Sequence, residues 1–132
     1  MREGRFAPEL LGKYFGGILV TNFYPAYNAC LSRGAQFCLA HLLREFDKVG
    51  NRCAGNLTSE YHEFERSMIS LIRRAIRWSA RSAAGPPERV RARTRFEKLM
   101  LAIIERMYLD RDVIRICNCI WRHAHGIFTF VT

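Results

Sequence analysis

Aspartate is nearly missing from this chain of 132 residues: it occurs only as Asp47, Asp110 and Asp112. Phosphoryl transfer by paired divalent ions needs clustered carboxylates. These three fall on predicted helices or at their starts, and none stands at a strand end beside another acid. Glu45 and Asp47, two apart on a helix, diverge. Long apolar runs are also missing. None approaches the roughly 20 residues of a membrane helix. Charges interrupt Phe6, Leu10 and Leu11 within Met1 to Lys13, so the apolar block of a secretory signal is not there. The expectation is a cytoplasmic protein with no membrane partner. There is no phosphate-binding glycine loop, no dinucleotide fingerprint and no nucleophile elbow. Nor is there a disulfide framework, because Cys30, Cys38, Cys53, Cys117 and Cys119 are odd in number and irregular in spacing. They read as small buried apolar residues in a reducing compartment.

What the sequence has in excess is arginine. Basic residues number 21 against 12 acidic ones, a formal charge of +9, and only Lys13, Lys48 and Lys98 are lysines. A balance this basic favours a polyanion, most often nucleic acid. Arginine suits phosphate because its planar fork donates two hydrogen bonds at once. A GC-rich genome enriches arginine equally well. Apolar residues make up 49% of the chain, which is a globular composition at the size of one domain.

Along the chain, Gly17-Ile-Leu-Val-Thr-Asn-Phe23 reads as a buried strand, and Tyr24 to Leu31 as one or two helical turns. Ala35 to Leu39 reads as a second strand. From His41 to Val49 the spacing of Leu42, Leu43, Phe46 and Val49 predicts a helix that Gly50 and Asn51 end. The remainder is helical. Thr58 or Ser59 caps a long helix whose apolar face is Tyr61, Phe64, Met68, Leu71, Ile72 and Ala75, with Trp78 at its border. Gly85-Pro86-Pro87 breaks it and opens a second helix, with Phe96, Leu99, Met100, Ile103, Ile104 and Met107 in one stripe. Those two apolar stripes predict an antiparallel pair. Asp110 or Asp112 starts a third helix, with Val113, Ile116, Cys117, Ile120 and Trp121 on one face and Gly126 closing it. Ile127-Phe-Thr-Phe130 leaves an apolar run at the end, expected to be exposed and to pack against something else.

Several residues invite a chemical reading. Cys38 and His41 have the spacing of half a zinc site, and a core cysteine at a strand end is the plainer account. Cys117, Cys119, His123 and His125 are candidates for a second half. Asn22 sits near the end of the best strand, where a metal-binding acid could stand, but an amide is neutral. On the long helix Arg66, Arg73 and Arg77 project opposite the apolar face, with Arg74 and Arg81 at the flank. Arg66, Arg73, Arg77 and Arg81 form a candidate phosphate-binding stripe. The competing account is a solvated face paired with Glu63, Glu65 and other acids.

Three blocks in order resemble transposases of the insertion sequence 66 family. They are Leu19-Val-Thr-Asn-Phe-Tyr-Pro-Ala-Tyr-Asn-Ala29, Cys38-Leu-Ala-His-Leu-Leu-Arg-Glu-Phe46 and Trp121-Arg-His-Ala-His-Gly-Ile-Phe-Thr-Phe130. The resemblance implies a ribonuclease-H-like domain with an Asp-Asp-Glu triad and two magnesium ions. The second aspartate then maps onto Asn22, and the other two acids fall outside the chain. Cys38 and His41 match a Cys-x-x-His step that looks structural. Residues 58–122 correspond to a helical insertion before the glutamate.

The resulting expectation is a mostly α fold with a small β remnant. A partial ribonuclease-H-like α/β segment occupies residues 1–57, and a helical insertion region of three helices occupies residues 58–132. The function expected is that of a truncated transposase, with DNA transposition as the family activity and no catalysis by this chain. No cofactor is expected in it, although magnesium is implied for the intact family. Partners are DNA, held weakly and without sequence preference, and a second copy or an intact transposase. The alternatives are a small basic helical protein that binds DNA or RNA or regulates a transposase, and a structural helical interaction domain in which Phe128 and Phe130 pair with another chain.

Overall fold

The computed structural model describes residues 39–53 and 55–132. The predicted strands at Gly17–Phe23 and Ala35–Leu39, and the turns at Tyr24–Leu31, lie outside them apart from Leu39. That residue opens a helix instead of ending a strand. The described residues are mostly helical, with no strand among them: α1 (Leu39–Cys53), α2 (Ser59–Arg81), α3 (Pro86–Ile104), α4 (Arg111–Arg122) and a 3₁₀ turn at Thr129–Val131.

Helix α1 does not stop at Gly50 and Asn51. It runs on to Cys53, and the left-handed residue that turns the chain is Gly55, at φ 81°. Gly50 is a permissive helical position, since a side chain there would meet nothing within 4 Å. A glycine's backbone freedom costs about 1 kcal/mol in a helix, and the buried Val49 and half-buried Cys53 hold this segment helical.

Helix α2 buries Tyr61, Phe64, Met68, Leu71, Ile72, Ala75 and Ile76, a stripe at spacings of three and four that matches the sequence reading. Its start is fixed by Thr58, whose Oγ1 accepts the backbone N–H of Tyr61 at 3.0 Å. The hydroxyl of Thr58 in turn donates to Asp110 Oδ2 at 2.6 Å. Asp110 caps α4, accepting from the backbone N–H of Asp112 at 2.8 Å and of Val113 at 3.2 Å. The Glu60 carboxylate accepts from the backbone N–H groups of Leu109 and Asp110. The N-terminal ends of α2 and α4 are thus clasped together, each satisfying donors that a helix start leaves unpaired.

Pro86 and Pro87 open α3, and Glu88 reaches back to the Gly85 N–H at 3.0 Å. Residues 67–74 of α2 line one groove with residues 99–106, while Ser79 meets Arg89 at the other end. The two helices are therefore antiparallel, as their stripes predict. Leu71 and Ile103 are both buried. Arg89 ties this corner down. It stacks on Trp78 at 5.4 Å and donates to the carbonyls of Ser79, Ser82, Ala84 and Val131.

The core is continuous across all four helices. Phe46 of α1 packs edge-on against Tyr61, with ring centroids 6.2 Å apart, and lies 5.9 Å from Phe64. Trp78 meets Phe96 edge-on across the α2–α3 pair. Expectations about the apolar stripes and the end of α4 need correction. Helix α3 ends at Ile104, so the stripe does not reach Met107, which is 93% exposed, and Leu99 lies at the rim. Trp121 is 59% exposed rather than inside with Val113 and Ile120. Helix α4 closes at Arg122, with His123 as its C-terminal cap, so Gly126 lies in the turns beyond it. The terminal apolar run is corrected as well. Phe128 is fully buried, 5.8 Å from the Phe96 ring, and Phe130 is half-buried against it. The segment folds back onto α2 and α3, because they offer apolar surface against which its own apolar side chains are buried.

Candidate nucleic-acid interface

Because α2 buries one face along its 23 residues, its opposite face collects the polar side chains. Arg66, Arg77 and Arg81 of the predicted stripe are exposed, as is Arg74 at its flank. Arg73 differs: it is half-buried and its Nε is enclosed. At 100° per residue Arg73 stands nearer the half-buried Ile69 and the buried Ile76 than Arg77 does. The exposed arginine row is therefore Arg66, Arg74, Arg77 and Arg81.

The surface acids are largely engaged elsewhere. Glu45 pairs with Lys48 at 3.4 Å and with Arg115, and Asp112 pairs with Arg52 and, at 3.7 Å, with Arg115. Glu97 pairs with Arg93 at 3.1 Å, and Glu60, Glu88 and Asp110 serve helix starts. Burial pushes the Glu45 carboxyl up, but the hydrogen bond from Arg115 and the charges of Lys48 and Arg115 outweigh it and hold that carboxyl below the ordinary glutamate value. Burial likewise opposes ionisation of Asp110, and the Thr58 hydroxyl with the two capping N–H groups overcomes it. No ion pair among the described residues joins Arg66, Arg74, Arg77 or Arg81 to Glu63 or Glu65. Among the described residues these four guanidinium groups stay outside ion pairs.

Beside this row runs a groove that the sequence did not single out, with a volume of about 270 Å³. Ser67, Ser70 and Arg74 line one wall, and Arg106, just past the end of α3, lines the other. Leu71, Leu99, Ala102 and Ile103 form its floor. The projection of α2 does carry the signal for Arg74, which falls between Ser67 and Arg81. The part of Arg106 depends on where α3 ends, and a helical projection continued to Met107 conceals it. A second cleft, of about 340 Å³, opens between α3 and α4 beside Ile104, Glu105, Cys117, Asn118 and Trp121. Burial pushes the Cys117 thiol up to about 11, so it is no thiolate nucleophile near neutral pH.

The other candidates do not converge. His41 is an exposed residue of α1, and Cys38 and Asn22 lie outside the described residues. Among the described residues no three His, Cys, Asp or Glu side chains are grouped so as to hold a metal ion. Cys117, Cys119, His123 and His125 form no such group. No helix among the described residues is long and apolar enough to cross a membrane.

The chain is thus basic, and its described residues form a helical unit with an exposed arginine row and no assembled metal centre among them. The model of the Transposase IS66 family matches residues 1–116, and the chain belongs to that family. The match covers the first two resembling blocks and ends inside α4, before the block at Trp121–Phe130. No curated protein and no solved structure matches the chain.

Proposed function

We propose that this chain serves DNA transposition by holding DNA phosphates on the arginine face of α2, and that it does not itself cut or join strands. The observation that carries the first half is the row Arg66, Arg74, Arg77 and Arg81, exposed and without ion pairs among the described residues, in a member of a transposase family. Contacts of this kind position a protein on a duplex without reading its sequence. The second half rests on donor chemistry. The position that the resemblance assigns to the second metal-binding acid is Asn22, and a neutral amide is a poor replacement for a carboxylate that bridges divalent ions. Paired magnesium ions do not fit a site whose bridging carboxylate is replaced by the Asn22 amide.

Binding of the full chain to duplexes of unrelated sequence tests this reading. The affinities should be equal and should fall steeply as salt rises. Added magnesium or manganese should produce no nicking. Sequence-blind binding that is absent even at low salt would overturn the DNA assignment. Nicking that disappears in Asn22→Ala would overturn the inactivity.

A further inference from the structure

We infer that the groove between α2 and α3 seats one sugar–phosphate strand of DNA, with Arg74 and Arg106 as the phosphate clamp. The assignment rests on the DNA reading above and gives it a specific place. Two guanidinium groups stand on opposite walls of one groove, Arg74 from α2 and Arg106 from just beyond α3. Neither is in an ion pair among the described residues. Ser67 and Ser70 line the Arg74 wall, and a serine hydroxyl can donate to phosphate oxygen.

The floor explains why a strand fits better than an isolated anion. Leu99 and Ala102 are apolar and exposed there, at the rim of the buried core. A sugar–phosphate strand alternates an anionic group with an apolar sugar face. Arginines on the walls and methyl groups between them match that alternation, whereas inorganic phosphate has no use for the floor. Arg74 also lies three residues before Arg77 and seven before Arg81, so it shares their side of α2. A strand leaving the groove therefore passes onto the exposed arginine row. Opposing charges among the described residues are Glu63, exposed one helical turn before Ser67, and Glu105, exposed next to Arg106 in the chain.

The experiment measures DNA binding by the full chain against salt concentration. It compares the unaltered chain with the pair Arg74→Gln and Arg106→Gln. A control pair, Lys48→Gln and Arg122→Gln, removes the same charge from α1 and α4. The groove pair should flatten the slope of log affinity against log salt by about two units, and the control pair should change it by much less. Leu99→Glu should weaken binding by at least about tenfold, since it sets a carboxylate beside the strand, and Glu63→Gln should tighten it. Inorganic phosphate, at the phosphate concentration of competing DNA, should fail to displace the duplex. Equal slopes for the groove pair and the unaltered chain would overturn the groove while leaving the Arg66, Arg77 and Arg81 row standing. Displacement by inorganic phosphate as effective as by DNA would overturn the strand assignment. Failure of the unaltered chain to bind at low salt would overturn the DNA reading and the groove with it.

Discussion

Phe128→Ala asks whether the end of the chain belongs to the core. Phe128 is 0% exposed, tilted against Phe96 with ring centroids 5.8 Å apart, and touches Phe130 at 6.2 Å. Removing a fully buried phenylalanine costs about 3–5 kcal/mol, from lost transfer energy and the cavity left behind. The lost ring pairs contribute about 0.5–1.5 kcal/mol within that range. A domain of this size has roughly 5–15 kcal/mol to lose, so the variant should lose a large fraction of the total stability. Urea unfolding followed by circular dichroism reads the difference directly, with the unfolding slope unchanged. Phe130→Ala serves as the internal comparison. Its side chain is only half-buried, and its loss should be about 1–2 kcal/mol. A Phe128→Ala loss below about 1 kcal/mol would refute the packing. It would restore the reading in which this run awaits another chain.

Further tests address the helix pair and its caps. Leu71→Ala and Ile103→Ala should each cost about 2–5 kcal/mol, because both are buried between α2 and α3; losses typical of surface sites would reject the pairing. Asp110→Ala removes the α4 cap and the partner of Thr58, and should cost about 1–2 kcal/mol in urea unfolding; a change within about 0.5 kcal/mol would show that the clasp is idle. The carboxyls of Asp110 and Glu45 are held below their ordinary values of 3.8 and 4.5. Their contribution is fully present above those values and is lost as pH falls through the lowered folded ones. The urea midpoint should therefore hold steady from neutral pH down to about 5 and decline below about 4, and a midpoint that rises on acidification would contradict the ion-pair assignments.

The helical hairpin was legible because α2 and the first part of α3 follow one apolar period, and because Thr58, Gly85-Pro86-Pro87 and Asp110 are strong local punctuation. Where local signals conflicted with packing, packing won. Gly50 looked like a stop, yet the helix continues to Cys53, since a lone glycine costs less than the contacts around it supply. Met107 fits the α3 period in sequence, but Glu105 already caps the helix end. Phe128 and Phe130 lie in a run too short to carry a period. Their burial depends on a surface built from α2 and α3, which no local reading can anticipate. The arginine row was legible as a projection. The enclosure of Arg73 and the groove beside Arg106 depend on neighbouring helices, so only the packed structure reveals them.

The central claim is that exposed arginines of α2 hold DNA phosphate, and the slope of log affinity against log salt measures it most directly. For the chain carrying Arg66→Ala, Arg77→Ala and Arg81→Ala together, the slope should be flatter than for the unaltered chain by about three units, one for each lost phosphate contact. Equal slopes in the two proteins, with folding intact in both, would contradict the claim.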